Sequence, residues 1–365
     1  MFATKMYQSN IDFVLIYFIL LFHNVVISTP VINIYKTVSL SSTSDTEGVA
    51  ESVTSGILLA LQHCQNVFLW DKWNCTNVEF HRLTKSTATK EAAFSKAILA
   101  AAVVHSITRD CSRGDIQDCS CKPVRNELRG YNSNHRKNIQ SVTDSTLDEA
   151  NDSNSIKDWS WSGCSDDTSF GNLVAKDYIT FEDDVFGSVG KHNYRVGREI
   201  VYQTMIKRCR CHGVSGSCST KTCWMQVAPF KDVARKLKEK YNKAVRLSQD
   251  NVEAAVALSN SIKNDKKYLP APEYALVYLE QSPDYCILNA TNGWPGTKGR
   301  TCSKTLSEFT SVSERKSCRN LCRQCGHRVK KETRTVKKSC NCNFQWCCSV
   351  KCDICLEKVE RHYCV

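Results

Sequence analysis

Apolar residues recur at helical spacing through the first two-thirds of this chain and in short broken runs near its end. Val49, Val53, Ile57, Ala60, Leu61 and Cys64 fall on one face at intervals of three and four, which predicts an amphipathic helix. Phe94, Ala97, Ile98, Ala101 and Val104 repeat the pattern, and their alanines predict close helix packing. A third helix is expected over 180–207, ending in Val201 and Met205. A fourth carries Phe230, Val233, Ala234, Leu237, Tyr241 and Ala244 on one face and basic residues on the other.

Between these segments the pattern lapses. Residues 132–158 are rich in Ser, Asn and Asp and nearly free of large apolar residues, so they read as an exposed insert. Residues 251–272 are polar and end in Pro270-Ala271-Pro272. Proline favours an extended chain and has no amide donor, so this stretch reads as a linker. From 273 to 365 turn residues alternate with short β-like runs, and apolar residues are too few for a self-sufficient core. The expected fold is α+β: a helical N-terminal domain over 29–250, then a small cystine-rich β domain over 273–365.

The first apolar run, Phe13 to Phe22 after Lys5, has the length of a signal-peptide core, with cleavage expected after about Ser28. A spanning helix needs about 20 apolar residues, so an uncleaved anchor is the weaker reading. No later segment reads as apolar enough to cross a bilayer. A secreted protein of the extracellular space and matrix is therefore expected.

Composition sharpens that reading. Of the 365 residues, 42% are hydrophobic and 24% charged, ordinary values for a globular protein, but 22 are cysteine. Cytosol keeps thiols reduced, so an even and large cysteine count points to an oxidising compartment. Net charge is +12, and residues 314–338 hold ten Lys or Arg against two Glu. Outside the cell such charge meets heparan sulfate or acidic membrane faces rather than nucleic acid.

The densest chemistry lies in Cys209-Arg210-Cys211-His212-Gly213-Val214-Ser215-Gly216-Ser217-Cys218, continuing to Cys223-Trp224. Nested pairing of Cys209 with Cys223 and Cys211 with Cys218 would clamp a hairpin over 209–223 whose tip runs from Gly213 to Ser217. A serine hydrolase would need Gly-x-Ser-x-Gly, but Ser217 stands where the second glycine belongs. A zinc site on these cysteines and His212 conflicts with an oxidising compartment. From spacing alone Ser215 reads as a turn residue. Further on, Cys340-x-Cys342, Cys347-Cys348 and Cys352-x-x-Cys355 could form a metal knuckle, and Cys322-Arg323-Gln324-Cys325 a redox pair. No βαβ context accompanies them, so a disulfide framework is the reading, each bond adding about 2–4 kcal/mol.

The hairpin sequence resembles the signature of the Wnt family of secreted, lipid-modified signalling glycoproteins. Trp73-Asn74-Cys75, Glu91-Ala92-Ala93-Phe94, Val104-His105 with Thr108-Arg109, and Trp161-Ser162-Gly163-Cys164-Ser165 with Phe170-Gly171 extend the likeness. So do His192-Asn193, Gly197-Arg198, Leu276 to Leu279, Ser282 to Cys286, Gly296 to Arg300 and Phe344-Gln345-Trp346-Cys347-Cys348. The chain departs from the family at Cys322-Arg323-Gln324-Cys325, where adjacent cysteines are usual, at Ala101-Ala102, at Tyr194, and in the insert that lengthens the loop between Cys121 and Cys164.

The resemblance implies a palmitoleoyl ester on Ser215, added by a membrane acyltransferase, with Ser217 the weaker candidate. No metal or other cofactor is implied. It implies a Frizzled cysteine-rich domain as receptor, gripped by His212, Gly213, Val214, Ser215 and Gly216. A second grip would come from Phe344, Trp346, Cys347, Cys348 and Val350. An LDL-receptor-related co-receptor and a cargo carrier during secretion are implied by family alone. The implied disulfides are Cys64–Cys75, Cys111–Cys119, Cys121–Cys164, Cys286–Cys325, Cys302–Cys318, Cys322–Cys364, Cys340–Cys355, Cys342–Cys352 and Cys347–Cys348. Three Asn-x-Ser/Thr sequons, at Asn74, Asn151 and Asn289, are glycan acceptors in a secreted chain.

Overall fold

The computed structural model describes residues 48–84, 87–123, 160–178, 185–248, 250–252, 272, 274–304, 307–308 and 310–365. The expected leader, the expected insert over 132–158 with Asn151, and most of the expected linker over 251–272 lie outside the described residues.

Helix α1 (Val49–Val67), α2 (Asn77–Leu83) and α3 (Lys90–Arg113) open the fold. Thr89 caps α3 by accepting from the Ala92 amide, and Gly114, at φ 83°, ends it in the left-handed conformation that glycine adopts freely. From Glu91 to Thr108 every residue of α3 is buried. This helix is long and apolar enough to cross a membrane by composition, which corrects the sequence expectation. Its apolarity is used instead to pack α1, α4 (Thr168–Asp177), α5 (Val185–Gln203) and α6 (Phe230–Asn242) around it. Small residues set the spacing. A Cβ on Gly56 would come within 2.9 Å of the Val103 Cα, and one on Gly197 would collide with the Ala97 backbone.

The helix expected over 180–207 is shorter. Its last residue is Gln203, and Ile206–Cys211 leave it as strand β4. Arg208 to Cys211 alternate basic residues with cysteine, a pattern that suits an exposed strand better than a buried helix face.

Phe68, Trp73, Phe94 and Tyr241 meet edge to face at the base of the helical core, with Phe68–Phe94 centroids 4.8 Å apart. Chain beyond the expected linker joins this core. Leu276 and Tyr285 are buried in it, and Trp294 packs against it. Asn193 of α5 donates to the Val277 carbonyl and accepts from its amide, both at 2.9 Å. This side chain thus acts as a ladder partner for β7 (Val277–Tyr278).

The C-terminal lobe has its own small core of Cys302, Cys318, Leu321, Cys322 and Cys364. Above it rise β9 (Val329–Gln345) and β10 (Ser349–Cys364), a long antiparallel finger joined at its base by β8 (Thr301–Cys302). A bulge between Lys351 and Asp353 shifts the register below the tip. With so little apolar core, cross-links hold this lobe.

Candidate functional site

The hairpin consists of β4 (Ile206–Cys211) and β5 (Lys221–Gln226). Cys209 and Cys223 are directly opposed in the ladder and are bonded, with Cα atoms 4.1 Å apart. Cys211–Cys218 closes a second ring beyond the strands. All four thiols of this segment are consumed, so none is available as a zinc ligand.

Between the clamps the chain folds into one tight turn. The Gly213 amide donates to the Ser217 carbonyl at 2.8 Å, the Gly216 amide to Gly213 at 3.0 Å, and the Ser217 amide to Val214 at 3.1 Å. Ser215 sits at the apex with φ 56° and ψ 28°, the left-handed region that non-glycine residues rarely occupy. Gly216 follows at φ 77°. A Cβ on Gly213 would collide with Ser217 and Ser219, so the turn closes only around glycine. His212 donates its amide to Thr220 at 2.7 Å and shares a bond with the Thr222 hydroxyl at 2.9 Å. The strained apex is thus fixed from both sides. It presents an exposed Ser215 beside Val214, which is 90% exposed.

The base of the hairpin is anchored to the helical core. Strand β2 (Ser160–Ser162) pairs with β5 in parallel. The Met225 amide donates to the Ser165 hydroxyl, and the Asp166 amide donates to the Met225 carbonyl. The Asp166 carboxylate accepts from the Val227 amide at 2.8 Å and from Ser112 of α3 at 2.6 Å. Just beyond, buried His105 reaches the Ala228 carbonyl through Nε2 at 2.9 Å. Burial drives its imidazole down to about 4, so it is neutral and donates that bond. The sequence reading missed Asp166. It directly follows the quoted motif ending at Ser165, but no periodicity distinguishes it from any other loop acid.

The second expected grip is 346–348 and its flanks, at the far end of the finger. Phe344 and Val350 face each other across the ladder, 70% and 64% exposed, and Trp346 is 95% exposed. Cys340–Cys355 and Cys342–Cys352 staple the ribbon below them. Cys347 and Cys348 differ from the expectation. Both are free and exposed, with their sulfurs 3.8 Å apart. Adjacent Cα atoms lie about 3.8 Å apart, below the usual disulfide span. Both residues hold left-handed φ values, 71° and 87°, so the tip turn forms through the backbone without that bond.

Cys64–Cys75, Cys111–Cys119, Cys121–Cys164, Cys286–Cys325, Cys302–Cys318 and Cys322–Cys364 are bonded as well. The two residues between Cys322 and Cys325 form a tight helical turn that points the two sulfurs to different partners. Asn74 is half-buried. Asn289 is half-buried beside the exposed Ile287 and Leu288.

Comparison with known proteins follows the same lines. A family model described as the Wnt family matches residues 36–365. Protein Wnt-8b of Danio rerio is 37% identical over 328 residues, covering 87% of this chain and 82% of its own. Protein Wnt-8a of Homo sapiens is 37% identical over 323 residues, covering 86% and 84%. In the solved structure of human WLS in complex with WNT8A, a chain 32% identical superposes at a TM-score of 0.61. That match covers 92% of this chain and 99% of the other. From the doubly clamped hairpin to the stapled finger, and across nearly its full length, this chain belongs to the Wnt family of secreted signalling proteins.

Proposed function

We propose that this Wnt ligand signals by presenting a palmitoleoyl ester on Ser215 to the cysteine-rich domain of a Frizzled receptor, while the finger tip around Trp346 grips a second face of that domain. The observation that carries the reading is the apex itself. A serine is held out into solvent in a left-handed turn beyond two nested disulfides. Esterification joins the acyl carbonyl to the Ser215 oxygen, breaks the donor thioester and releases the hydroxyl proton.

The energetics favour two grips. Burying an acyl chain yields about 0.8 kcal/mol per CH₂, on the order of 10 kcal/mol gross. A polar turn tip could not supply that alone. The exposed aromatic at the finger tip has the character of an interface anchor. Two separated contacts on one receptor raise avidity through effective concentration. Phe344 and Val350 flank the tip as a cross-strand pair.

An acyl chain in water needs a carrier. Human WNT8A is solved in complex with WLS, which supports a carrier of that kind for this chain. A co-receptor related to the LDL receptor follows from family membership. Basic residues along β9 favour weak, salt-sensitive contact with heparan sulfate and hence with matrix. Lys331, Arg334 and Lys338 already face Glu360, Glu332 and Glu357, which tempers that attraction.

The test is mass spectrometry of the secreted peptide from Arg210 to Lys221, paired with receptor binding of Ser215→Ala. The expected result is an acyl adduct on Ser215 and loss of binding in the variant. Wild-type affinity in the variant would overturn the reading.

A further inference from the structure

The seam between the helical domain and the C-terminal lobe holds two grooves that no function described so far uses. One, about 370 Å³, is lined by Leu69, Asn74, Gly299, Arg300, Thr301 and Arg361 among others. The other, of similar volume, is lined by Trp70, Glu314 and His362 among others. Arg361 borders both. Each falls within the size range of small-ligand pockets. Across the seam, Arg300 donates to the Lys72 carbonyl at 2.7 Å and the Leu69 carbonyl at 2.9 Å.

Asn74 is both a wall of the first groove and the acceptor of an Asn-Cys-Thr sequon. A glycan on its amide would therefore begin inside the groove. The surroundings have the mix a sugar needs. The Trp70 indole offers an apolar face for pyranose C–H groups, and Arg361, Thr301 and Glu314 offer polar partners.

We propose that the seam is an intramolecular carbohydrate site, in which the N-acetylglucosamine core of an N-linked glycan on Asn74 fills the first groove and runs past Arg361 to Trp70, bridging the two lobes. The inference is independent of Ser215 and its ester.

The fold also sets the order of events. Transfer forms a bond from sugar C1 to the Asn74 nitrogen, breaks the C1–oxygen bond of a lipid pyrophosphate-linked oligosaccharide, and releases one amide proton. The enzyme must read the Thr76 hydroxyl. In the folded chain that hydroxyl accepts from the Glu79 amide and donates to the Gly293 carbonyl. Cys75, at φ 55°, is bonded to Cys64. Glycosylation therefore precedes closure of Cys64–Cys75, and the lobes then close over the sugar.

The full-length protein secreted from animal cells provides the test. Peptide mapping should find Asn74 occupied. Peptide N-glycosidase should release that glycan about 10-fold or more slowly from native than from reduced, denatured protein. Asn74→Gln should lower the unfolding midpoint. Trp70→Ala should lower it in the glycosylated protein but much less in the Asn74→Gln background, the coupling expected of a sugar contact. A bare Asn74, equal release rates, or additive effects of the two substitutions would each overturn the proposal. The release measurement needs only the wild-type chain, so equal rates would overturn the proposal even where a variant is not secreted.

Discussion

Gly197 of α5 lies directly on the backbone of Ala97 in α3, with no space for a Cβ between them. Two of the longest helices in the domain touch main chain to main chain there. The hairpin grows from the end of α5, so this contact fixes where Ser215 stands.

Gly197→Ala should therefore lower stability by about 1–3 kcal/mol or more, because the helices must separate to admit one methyl group. Urea unfolding would register this as a lower midpoint with an unchanged slope. An unaltered midpoint would show that the contact is looser than described.

Asp166→Ala removes the acceptor for the Val227 amide and the Ser112 hydroxyl. A loss of about 1.5–3 kcal/mol is expected for hydrogen bonds to a charged group. Amide exchange should rise at Val227 and along β5 before it rises in α3. Uniform acceleration through the domain would argue against a local anchor.

Trp346→Ala should leave the unfolding midpoint unchanged, since the side chain is 95% exposed. Receptor affinity should fall by about 2 kcal/mol or more, the usual size of an aromatic anchor's contribution. Surface plasmon resonance on an immobilised Frizzled cysteine-rich domain would measure it. Affinity equal to wild type would remove the finger from the receptor contact.

Glu79 makes the stability of the fold depend on pH. Its carboxyl is buried and faces Trp73, Arg82, Glu91 and Tyr285, and burial raises it to about 7 from an ordinary 4.5. Between those values the folded chain keeps a proton that the unfolded chain has released. Stability from this group is thus full below about pH 4.5 and is lost as pH rises to 7, by up to about 1.4 kcal/mol per unit. His105 works in the opposite sense. Its folded value of about 4 lies below 6.5, so its contribution is lost as pH falls through that window. Glu79→Gln should remove the first effect and leave the second. The variant's advantage over wild type should grow from pH 4.5 to 7 and then level off. A constant difference in denaturation midpoints across that range would refute the assignment.

Much of this protein is legible in its residue order. The spacing of Val49 to Cys64, of Phe94 to Val104 and of Phe230 to Ala244 specifies three helices, because a 3.6-residue period leaves few other ways to bury those side chains. The cysteines flanking Gly213 to Ser217 permit a nested, doubly clamped turn, and the folded chain makes those two bonds. The motifs specify the family. Other features depend on neighbours far away in sequence. The helix before the hairpin ends at Gln203 because the next residues pair with β5, a contact that no local pattern encodes. The apolar length of α3 could equally span a bilayer, and only its burial under four other helices decides the matter. Asp166 gains its role from Ser112 and Val227, more than fifty residues away on either side. Cys347 and Cys348 are adjacent in sequence, yet their sulfurs stand 3.8 Å apart, in contact but unbonded. Periodicity and loop length act over a few residues and can be read directly. Strand pairing, burial and the placement of a charge require the rest of the chain to be folded around them.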